Sequence, residues 1–368
     1  MRNELIYRIA LTQIPHIGCV HAKLLIQQFH TAEAVFKASL KELERMEGIG
    51  TVRARSIKNF NHFQQAEKEV AFIEKYHITP LFITDAAYPQ RLLHCYDPPT
   101  LLYYRGRANL NASRVIAIIG TRTNTQYGGQ LTEKLVQGLA AYDVLVVSGL
   151  AFGIDALAHK AAIKNKLPTV GVLAHGLHAM YPSQHSQLAR DMVQEGGGLL
   201  TEFGHTVQAD KHNFPTRNRV VAGISDAVVV METGSRGGSI ITAELANGYN
   251  KDVFAFPGRV TDAKSAGCND LIKTNKAQLI TNAEELAAVM GWTCTARPTM
   301  SPQKDLFIEL DAREQAIVQL LRDRDLVHID ELHLRSGLSQ SAVATTMVQL
   351  ELHNMVSSLP GRMYRLNS

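Results

Sequence analysis

The sequence predicts an α/β protein with a parallel sheet covered by helices, a small helical domain before it and a winged helix after it. Three observations support this prediction. Residues 66–290 alternate continuous apolar segments with helical patterns, residues 1–65 are helical throughout, and residues 311–368 give three helical patterns followed by a hairpin. Uninterrupted apolar strands that alternate with helices indicate a sheet that is buried on both faces.

The predicted strands of the central region are apolar, and most are followed at once by glycine, proline or a polar residue. Their bounds are 114–119, 144–147, 169–173, 199–201, 227–230 and 253–256. Helices are predicted between them, for example over 155–163 and 239–249, and Asn282 is the predicted start of a helix that closes the domain. Ligands of open parallel sheets bind at the carboxyl ends of the strands. The loops after these strands are therefore the predicted location of a site.

Residues 1–65 contain two similar turns, at residues 14–18 and 48–50, each followed by a helical pattern. The second turn is Gly48-Ile49-Gly50, and the pair resembles two helix-hairpin-helix units, a SAM-like arrangement. Glycines in that motif let backbone amides approach a phosphate. The first turn has His16 where a glycine is expected, which weakens the prediction of a phosphate contact. The alternative is a small helical bundle that serves as a protein-contact module.

The C-terminal region is predicted to be a winged helix. Residues 291–310 contain prolines and threonines and are predicted to be a linker, and residues 311–368 form the domain. Its third helix, 341–352, lies where a recognition helix would lie but has no lysine or arginine, and the hairpin carries Arg362 and Arg365. Because duplex recognition depends on phosphate contacts from cations, we expect weak DNA binding or a protein-contact role.

The composition is that of a globular protein with a mild positive charge. The 368 residues are 45% hydrophobic and carry a net charge of +4, which permits a polyanionic partner without requiring one. No apolar run is long enough to span a bilayer, and the N-terminus lacks the apolar stretch of a signal peptide. The four cysteines form no CxxC pair, so a reducing compartment and no zinc site are expected. We therefore expect a cytoplasmic protein that binds neither metal nor membrane.

The segment 211–223, KHNFPTRNRVVAG, indicates a nucleic-acid site more strongly than any other. It places Lys211, Arg217 and Arg219 around the aromatic ring of Phe214 and then becomes apolar. Cations that bind phosphates, beside a ring on which a base stacks, are typical of sites for single-stranded nucleic acid. The alternative interpretation is a surface loop followed by the first turn of a buried helix.

Several loops at strand ends combine glycines with hydroxyl groups or arginine, which predicts an anion-binding groove. Glycine lets backbone N–H groups reach a phosphate, and a helix N-terminus favours negative charge. The alternative is that these turns need glycine only for their backbone conformation. The predicted groove residues in these loops are Gly120, Thr121, Arg122, Ser148, Gly149, Gly234, Ser235, Gly237, Gly238 and Ser239.

A nucleotide cofactor or a metal is not expected. The chain has no P-loop sequence, and no G-x-G-x-x-G follows the first central strand. Asp155 and His159 stand four residues apart on one helix face without a third ligand, so both are predicted to be structural. The strand-end carboxylates Glu202, Asp226 and Glu232 are predicted to orient loops or arginines rather than to perform acid–base catalysis.

Motifs in the central region together resemble the DNA-processing protein A (DprA/Smf) family. They include Tyr88-Pro89, Ile119-Gly120-Thr121-Arg122, Tyr181-Pro182, Phe214-Pro215-Thr216-Arg217-Asn218-Arg219 and Phe256-Pro257-Gly258, and the stretches 97–103, 148–159 and 238–243. The chain departs from the family pattern at Phe203, where a proline is common, and at 275–277. Neither departure touches the predicted groove.

The resemblance implies a Rossmann-like core that binds single-stranded DNA without sequence preference and forms a homodimer. It further implies that the protein protects incoming DNA and loads RecA recombinase onto it during natural transformation, without being an enzyme. Arg122 and Lys211 would contact phosphate and Phe214 would stack on a base, with Arg217 and Arg219 in the same motif. Two alternatives stay open: a nucleotide hydrolase of the lysine-decarboxylase-like (LOG) class, and a transcription regulator acting through the winged helix.

Overall fold

The computed structural model describes residues 2–294, 310–322, 324, 326–353, 355–359 and 361–366. The chain forms two compact units that divide near residue 297. The predicted linker, 291–310, falls mostly outside the described residues. Within the described ranges, no helix has both the length and the apolarity to cross a membrane.

The N-terminal region is helical, as predicted, and its short helices begin at side-chain caps. Its helices are α1 (Arg2–Thr12), α2 (Cys19–Phe29), α3 (Ala32–Lys37), α4 (Leu40–Glu44), α5 (Gly50–Lys58) and α6 (Phe63–Lys75). Ser39 and Glu42 form a reciprocal capping box at the start of α4, which satisfies two backbone amides that the helix leaves free. Because α6 runs through residues 65 and 66, the domain boundary predicted there falls inside a helix.

The two predicted helix-hairpin-helix turns share one left-handed position. His16 has a φ of 65° and Gly48 a φ of 83°, so both occupy the left-handed region at equivalent places. Arg53 joins the turns, because Nε donates to the carbonyl of His16 at 3.3 Å and Nη1 donates to the carbonyl of Gly48 at 3.2 Å. His16 therefore takes the glycine conformation at a cost of about 1 kcal/mol. The turns differ at the next glycine, because Gly18 has a φ of −89° and Gly50 a φ of 62°.

Nine strands in the described part of the chain form one sheet, in the order β1-β2-β6-β5-β4-β3-β7-β8-β9. They are β1 (Thr79–Phe82), β2 (Leu101–Gly106), β3 (Val115–Ile119), β4 (Leu145–Ser148), β5 (Thr169–Val172), β6 (Gly198–Thr201), β7 (Ala227–Val230), β8 (Asp252–Ala255) and β9 (Gln278–Leu279). The six predicted strands are β3 to β8, each confirmed to within one residue at either end.

The sheet is not entirely parallel. All strands from β3 to β9 run parallel to one another. At one edge of the sheet, β2 pairs antiparallel with β6 and β1 pairs antiparallel with β2. The predicted parallel sheet is therefore confirmed for β3 to β9, and two antiparallel strands that were not predicted extend it at this edge. Pro80 lies within β1, and proline is tolerated only in edge strands because it cannot donate to the sheet.

Helices cover both faces of the sheet. They are α7 (Gln90–Leu93), α8 (Gln126–Leu139), α9 (Ile154–Lys164), α10 (Ser186–Gln194), α11 (Asn213–Ile224), α12 (Gly238–Gly248), α13 (Ala266–Lys273) and α14 (Ala283–Val289). The predicted helices 155–163 and 239–249 correspond to α9 and α12. The predicted cap at Asn282 is confirmed, since its side chain accepts the N–H of Glu285 at 2.8 Å.

One apolar cluster spans the helical region and one face of the sheet. It contains Leu25 and Leu43 from the N-terminal helices together with Val147 and Val228 from the strands, and all four residues are fully buried. A second cluster covers the opposite face and contains Ile116 and its neighbours on α8 and α14. The helical region and the sheet are therefore packed as one body.

The second unit is a winged helix, as predicted. Its elements are α15 (Ala312–Arg322), β10 (Val327–His328), α16 (Ile329–Ser336), α17 (Gln340–Leu352), β11 (Val356–Leu359) and β12 (Met363–Leu366). The strands form a small sheet in the order β10-β12-β11. The predicted third helix is α17, and the inward positions predicted for it, Val343, Met347 and Leu350, are buried.

Candidate nucleic-acid interface

A groove opens at the carboxyl ends of β3, β4 and β7. The chain continues from β3 through β4 and β5 to one side and returns through β7 to the other side, so the groove lies at the point where strand order reverses. Ligands of open α/β sheets bind at such a point. The cavity has a volume of about 520 Å³. Its lining includes the predicted residues Gly120, Thr121, Arg122, Gly149, Lys211, Phe214, Arg217, Gly234, Gly237, Gly238 and Ser239.

Three exposed cations line this groove: Arg122, Lys211 and Arg236. Among the described residues none of the three forms an ion pair with a carboxylate. Arg122 and Lys211 were predicted, whereas Arg236 was not selected although it lies between two glycines of the predicted 234–239 loop. Unpaired cations at a concave surface are available to an anionic ligand.

The ring of Phe214 lies close to a cation and to a second aromatic ring. The guanidinium carbon of Arg122 is 5.1 Å from the Phe214 ring centroid, and the Tyr181 centroid lies 6.1 Å away on a ring tilted by 46°. Phe214 is on the first turn of α11 and is half-buried. The predicted combination of cations and an aromatic surface is therefore present in one place.

Arg217 lines the groove floor but points inward. It is 6% exposed, and its Nη1 donates to the carbonyls of Gly149 and Val172, the latter at 2.6 Å. Burial lowers the pKa of Arg217, and the Asp155 carboxylate opposes that effect. The helical spacing of Arg217, Val221 and Ile224 places this arginine on the buried face of α11. This geometry favours a role in holding the β4 loop rather than the predicted phosphate contact.

Arg219 does not line the groove. Its Nη2 donates to the Glu202 carboxylate, and its Nη1 donates to the Asp97 carbonyl and lies 3.5 Å from the Asp97 carboxylate. Burial lowers the pKa of Arg219, but Glu202, Cys19 and Asp97 together oppose that effect and the pKa is raised overall. The predicted phosphate contact of Arg219 is not supported by this position, because its donors bind protein oxygens. Glu202 orients an arginine, as predicted.

The glycines of the groove have two different surroundings. A Cβ on Gly120 would lie 2.5 Å from Ile154 Cγ1, and one on Gly149 would lie 2.5 Å from Arg217 Nη1. A Cβ on Gly238 would meet nothing closer than Asn218 Nδ2 at 3.9 Å. Packing inside the protein therefore explains the glycines after β3 and β4, whereas it does not explain Gly238.

The predicted hydroxyl groups also differ. Ser148 is fully buried and donates to the carbonyl of Ile118 at 2.6 Å, and Ser239 donates to Thr233 Oγ1 at 2.6 Å. Ser235 is exposed. The side chains of Ser148 and Ser239 therefore hold loops, and of the three only Ser235 presents its hydroxyl to solvent.

The N-terminus of α12 opens toward the groove. Gly237 precedes the helix and has no side chain to cap it, so the first amides of an eleven-residue helix lie at a concave surface. The N-terminus of α9 differs, because the Ile154 amide donates to the Thr121 carbonyl at 3.1 Å and the loop before the helix is held by the Asp155 carboxylate, which accepts the amides of Gly149 and Ala151. Of these two helix N-termini, only that of α12 is therefore open to an external anion.

The other titratable groups near the strand ends bind protein atoms, which agrees with their predicted structural roles. Glu232 accepts the amide of Thr125 at 2.8 Å, and Asp226 binds Arg91 Nε at 2.6 Å. His159 Nδ1 lies 2.6 Å from Thr169 Oγ1. Across the described residues, no cluster of three or more His, Cys, Asp or Glu side chains is arranged to hold a metal ion.

Family profiles match three parts of the chain. Residues 79–291 match the DNA recombination-mediator protein A profile, residues 301–362 match the DprA winged helix domain, and residues 9–70 match the helix-hairpin-helix motif. The first match covers the sheet and the groove.

Curated relatives and solved structures are similar over most of the chain. The Smf protein of Synechocystis is 32% identical over 99% of both chains, and a putative DNA processing protein DprA of Mycobacterium tuberculosis is 37% identical over 73% of this chain and 69% of its own. The X-ray structure of DprA from Streptococcus pneumoniae has a TM-score of 0.64 at 30% identity, covering 77% of this chain and 97% of that one. A DprA structure from Helicobacter pylori, described for its single-stranded DNA binding mode, has a TM-score of 0.54 at 29% identity and covers 59% and 98%.

Proposed function

We propose, from the premise that this chain belongs to the DNA recombination-mediator protein A family, that it binds single-stranded DNA in the groove without sequence preference. The observation that carries the proposal is the placement of two exposed, unpaired cations, Arg122 and Lys211, in the groove that holds the ring of Phe214. The similar structure from Helicobacter pylori is described for such a binding mode. The protein's further role is to protect incoming DNA and to load RecA recombinase during natural transformation, as a cytoplasmic homodimer.

The groove suits a polymer of phosphates and bases. Arg122, Lys211 and the open amides of α12 supply positive potential for phosphates. The face of Phe214 supplies a surface on which any base stacks, contributing about 1–3 kcal/mol per base. Binding by stacking and by phosphate contacts does not depend on base identity, which is why no sequence preference is expected.

The proposed function is not catalytic. A hydrolase of the LOG class needs a carboxylate just after its glycine-rich phosphate loop, and the carboxylate that follows Gly237-Gly238-Ser239 in this chain is Glu244. Glu244 lies on the exposed part of α12 and pairs with Lys276 at 2.9 Å. It does not line the groove. Asp155 does line it, but its carboxylate accepts two loop amides. These positions favour binding over hydrolysis; release of free base from nucleoside monophosphates by the purified protein would contradict this.

The salt dependence of binding tests the groove directly. Each lost phosphate contact lowers the slope of log affinity against log salt by about 0.7 for a single strand. We therefore expect Arg122→Ala and Lys211→Ala each to lower the slope by about that amount for oligo-dT, as measured by fluorescence anisotropy at several salt concentrations.

Lys276→Ala is the matched control, because this exposed lysine lies outside the groove and its partner is Glu244. It removes the same charge and leaves the slope unchanged. Wild-type slopes in both groove variants would show that the groove is not the binding site.

Two further measurements test the other parts of the proposal. RecA filament formation on protein-coated oligonucleotide tests the loading role. Sedimentation measures the oligomeric state and tests the dimer.

A further inference from the structure

Two exposed aromatic side chains lie beside the groove and have no role in the proposed phosphate contacts. Phe152 is 43% exposed and Tyr181 is 53% exposed, whereas aromatic rings are ordinarily buried for most of their area. Both line a small pocket of about 30 Å³ that is continuous with the groove, since the two cavities share Arg122, Phe214 and other lining residues. Because both rings line one pocket beside the groove, they form an aromatic surface that a ligand in the groove can reach.

The two sides of Phe214 differ in chemistry. On one side lie Lys211, Arg236 and the N-terminus of α12, whereas Arg122 lines both cavities. On the other side the pocket is lined mainly by apolar and aromatic groups, with Tyr181 tilted 46° to Phe214 at a centroid distance of 6.1 Å. Phosphates prefer the first side and bases the second, because stacking needs an aromatic or apolar face rather than a charge.

The loop that carries Tyr181 is held in place by a buried histidine. His175 is 2% exposed, its Nε2 accepts the backbone N–H of Tyr181 at 3.1 Å, and its Nδ1 lies 2.9 Å from the Gly176 carbonyl. Phe152 is held by an edge contact with the ring of His185 at 4.8 Å. The backbone at Tyr181 is therefore held and the Phe152 ring packs on a neighbour before a ligand arrives, which reduces the entropy lost on binding.

We infer that Tyr181 and Phe152 form a second base-stacking subsite, which takes the nucleotide next to the one on Phe214. This inference rests on the proposed function. It sets a direction across the groove, with bases directed toward the Tyr181 side and the sugar-phosphate chain toward Lys211 and Arg236.

The test compares two ligands of equal charge: oligo-dT, and an abasic deoxyribose-phosphate oligomer of the same length. Wild-type protein binds oligo-dT more tightly. Tyr181→Ala is expected to weaken oligo-dT binding about fivefold or more, the lower end of the effect of losing one base–aromatic stack, and to leave abasic binding unchanged. Phe152→Leu is expected to act in the same direction, and Tyr181→Phe to restore binding. Thermal unfolding of each variant confirms that it is folded.

Tyr96→Ala is the matched control, because Tyr96 is 65% exposed and lines neither cavity. The informative quantity is the ratio of the affinity for oligo-dT to the affinity for the abasic oligomer. The subsite alone is overturned if Tyr181→Ala and Phe152→Leu keep the wild-type ratio while Phe214→Ala lowers it. If Phe214→Ala, Arg122→Ala and Lys211→Ala all bind both ligands as wild type does, the proposed groove fails and the subsite fails with it.

Discussion

The loop after β4 and the loop after β7 carry similar residues at the same edge of the sheet. In the first, the Gly149 amide donates to Asp155 and the Gly149 carbonyl accepts from Arg217. In the second, Gly237 leaves the start of α12 uncapped, and Gly238 has open space where a side chain would be. The β4 loop is thus occupied by the protein's own charges, and the β7 loop is available to a ligand. Glycines and hydroxyls in a strand-end loop do not by themselves indicate which case applies.

The strongest way to break this contrast is to remove the charge that the β4 loop encloses. Arg217→Met leaves the Asp155 carboxylate without its neighbouring cation and two carbonyls without a donor. Breaking such a buried arrangement lowers the free energy of unfolding by about 3 kcal/mol or more, measurable by urea denaturation. Arg122→Met, at an exposed position, is expected to change it by about 0.5 kcal/mol at most. Equal stabilities of the two variants would contradict the assignment of Arg217 as a structural residue.

A methyl group added to each loop sharpens the same contrast. Gly149→Ala places a Cβ 2.5 Å from the Arg217 guanidinium and is expected to lower the free energy of unfolding by about 1–3 kcal/mol. Gly238→Ala meets only ordinary contacts, so stability is kept while the affinity for oligo-dT falls, since the new methyl group obstructs an approaching phosphate. Denaturation and anisotropy on both variants separate the effects. A Gly238→Ala variant that binds like wild type would show that the β7 loop does not contact the ligand.

A pH titration probes the helix that follows the β4 loop. Burial lowers the pKa of His159 on α9 to about 3, and an unfolded histidine has a pKa near 6.5. As the pH falls, the unfolded chain therefore takes up the proton before the folded protein does. His159 does not reduce the free energy of unfolding above about pH 6.5, and it reduces that free energy progressively as the pH falls from there toward 3. The expected slope reaches about 1.4 kcal/mol per pH unit.

His159→Gln is expected to flatten that slope, and His178→Gln, at an exposed position, is expected to leave it as in wild type. Urea denaturation at intervals between pH 7 and pH 4 measures both. An unchanged slope in His159→Gln would mean that this histidine is not held neutral inside the protein.

Much of the fold could be predicted because its strands are continuous apolar runs bounded by turn residues. The segment 227–230 shows this, since four apolar residues stand between Asp226 and the loop that begins at Met231. β1 and β2 were not predicted, for two different reasons. β1 contains a proline, and the Leu101–Gly106 segment was interpreted as part of a motif rather than as a strand, although its burial is that of a strand.

The candidate site was predictable to a similar degree. Arg122, Lys211 and Phe214 meet in one groove, because the loops after β3 and before α11 reach the same edge of the sheet. The positive charge of Arg217 alone led to the prediction that it lies on that surface, but its position in the helix does not support it. Its spacing from Val221 and Ile224 was visible in the sequence and predicts a buried side chain. Tyr181 lies 33 residues before Phe214 in the chain, and only the fold brings the two rings together.

The apolar cluster that joins α1 to α6 with the sheet has a consequence for how the molecule unfolds. Residues such as Leu25 and Leu43 share one interior with Val147 and Val228, so neither part can lose its structure without exposing the other to water. The helical region thus belongs to the cooperative folding unit of the sheet. It is not an appended module, and a shortened protein that begins at β1 would present a large uncovered apolar face and tend to aggregate.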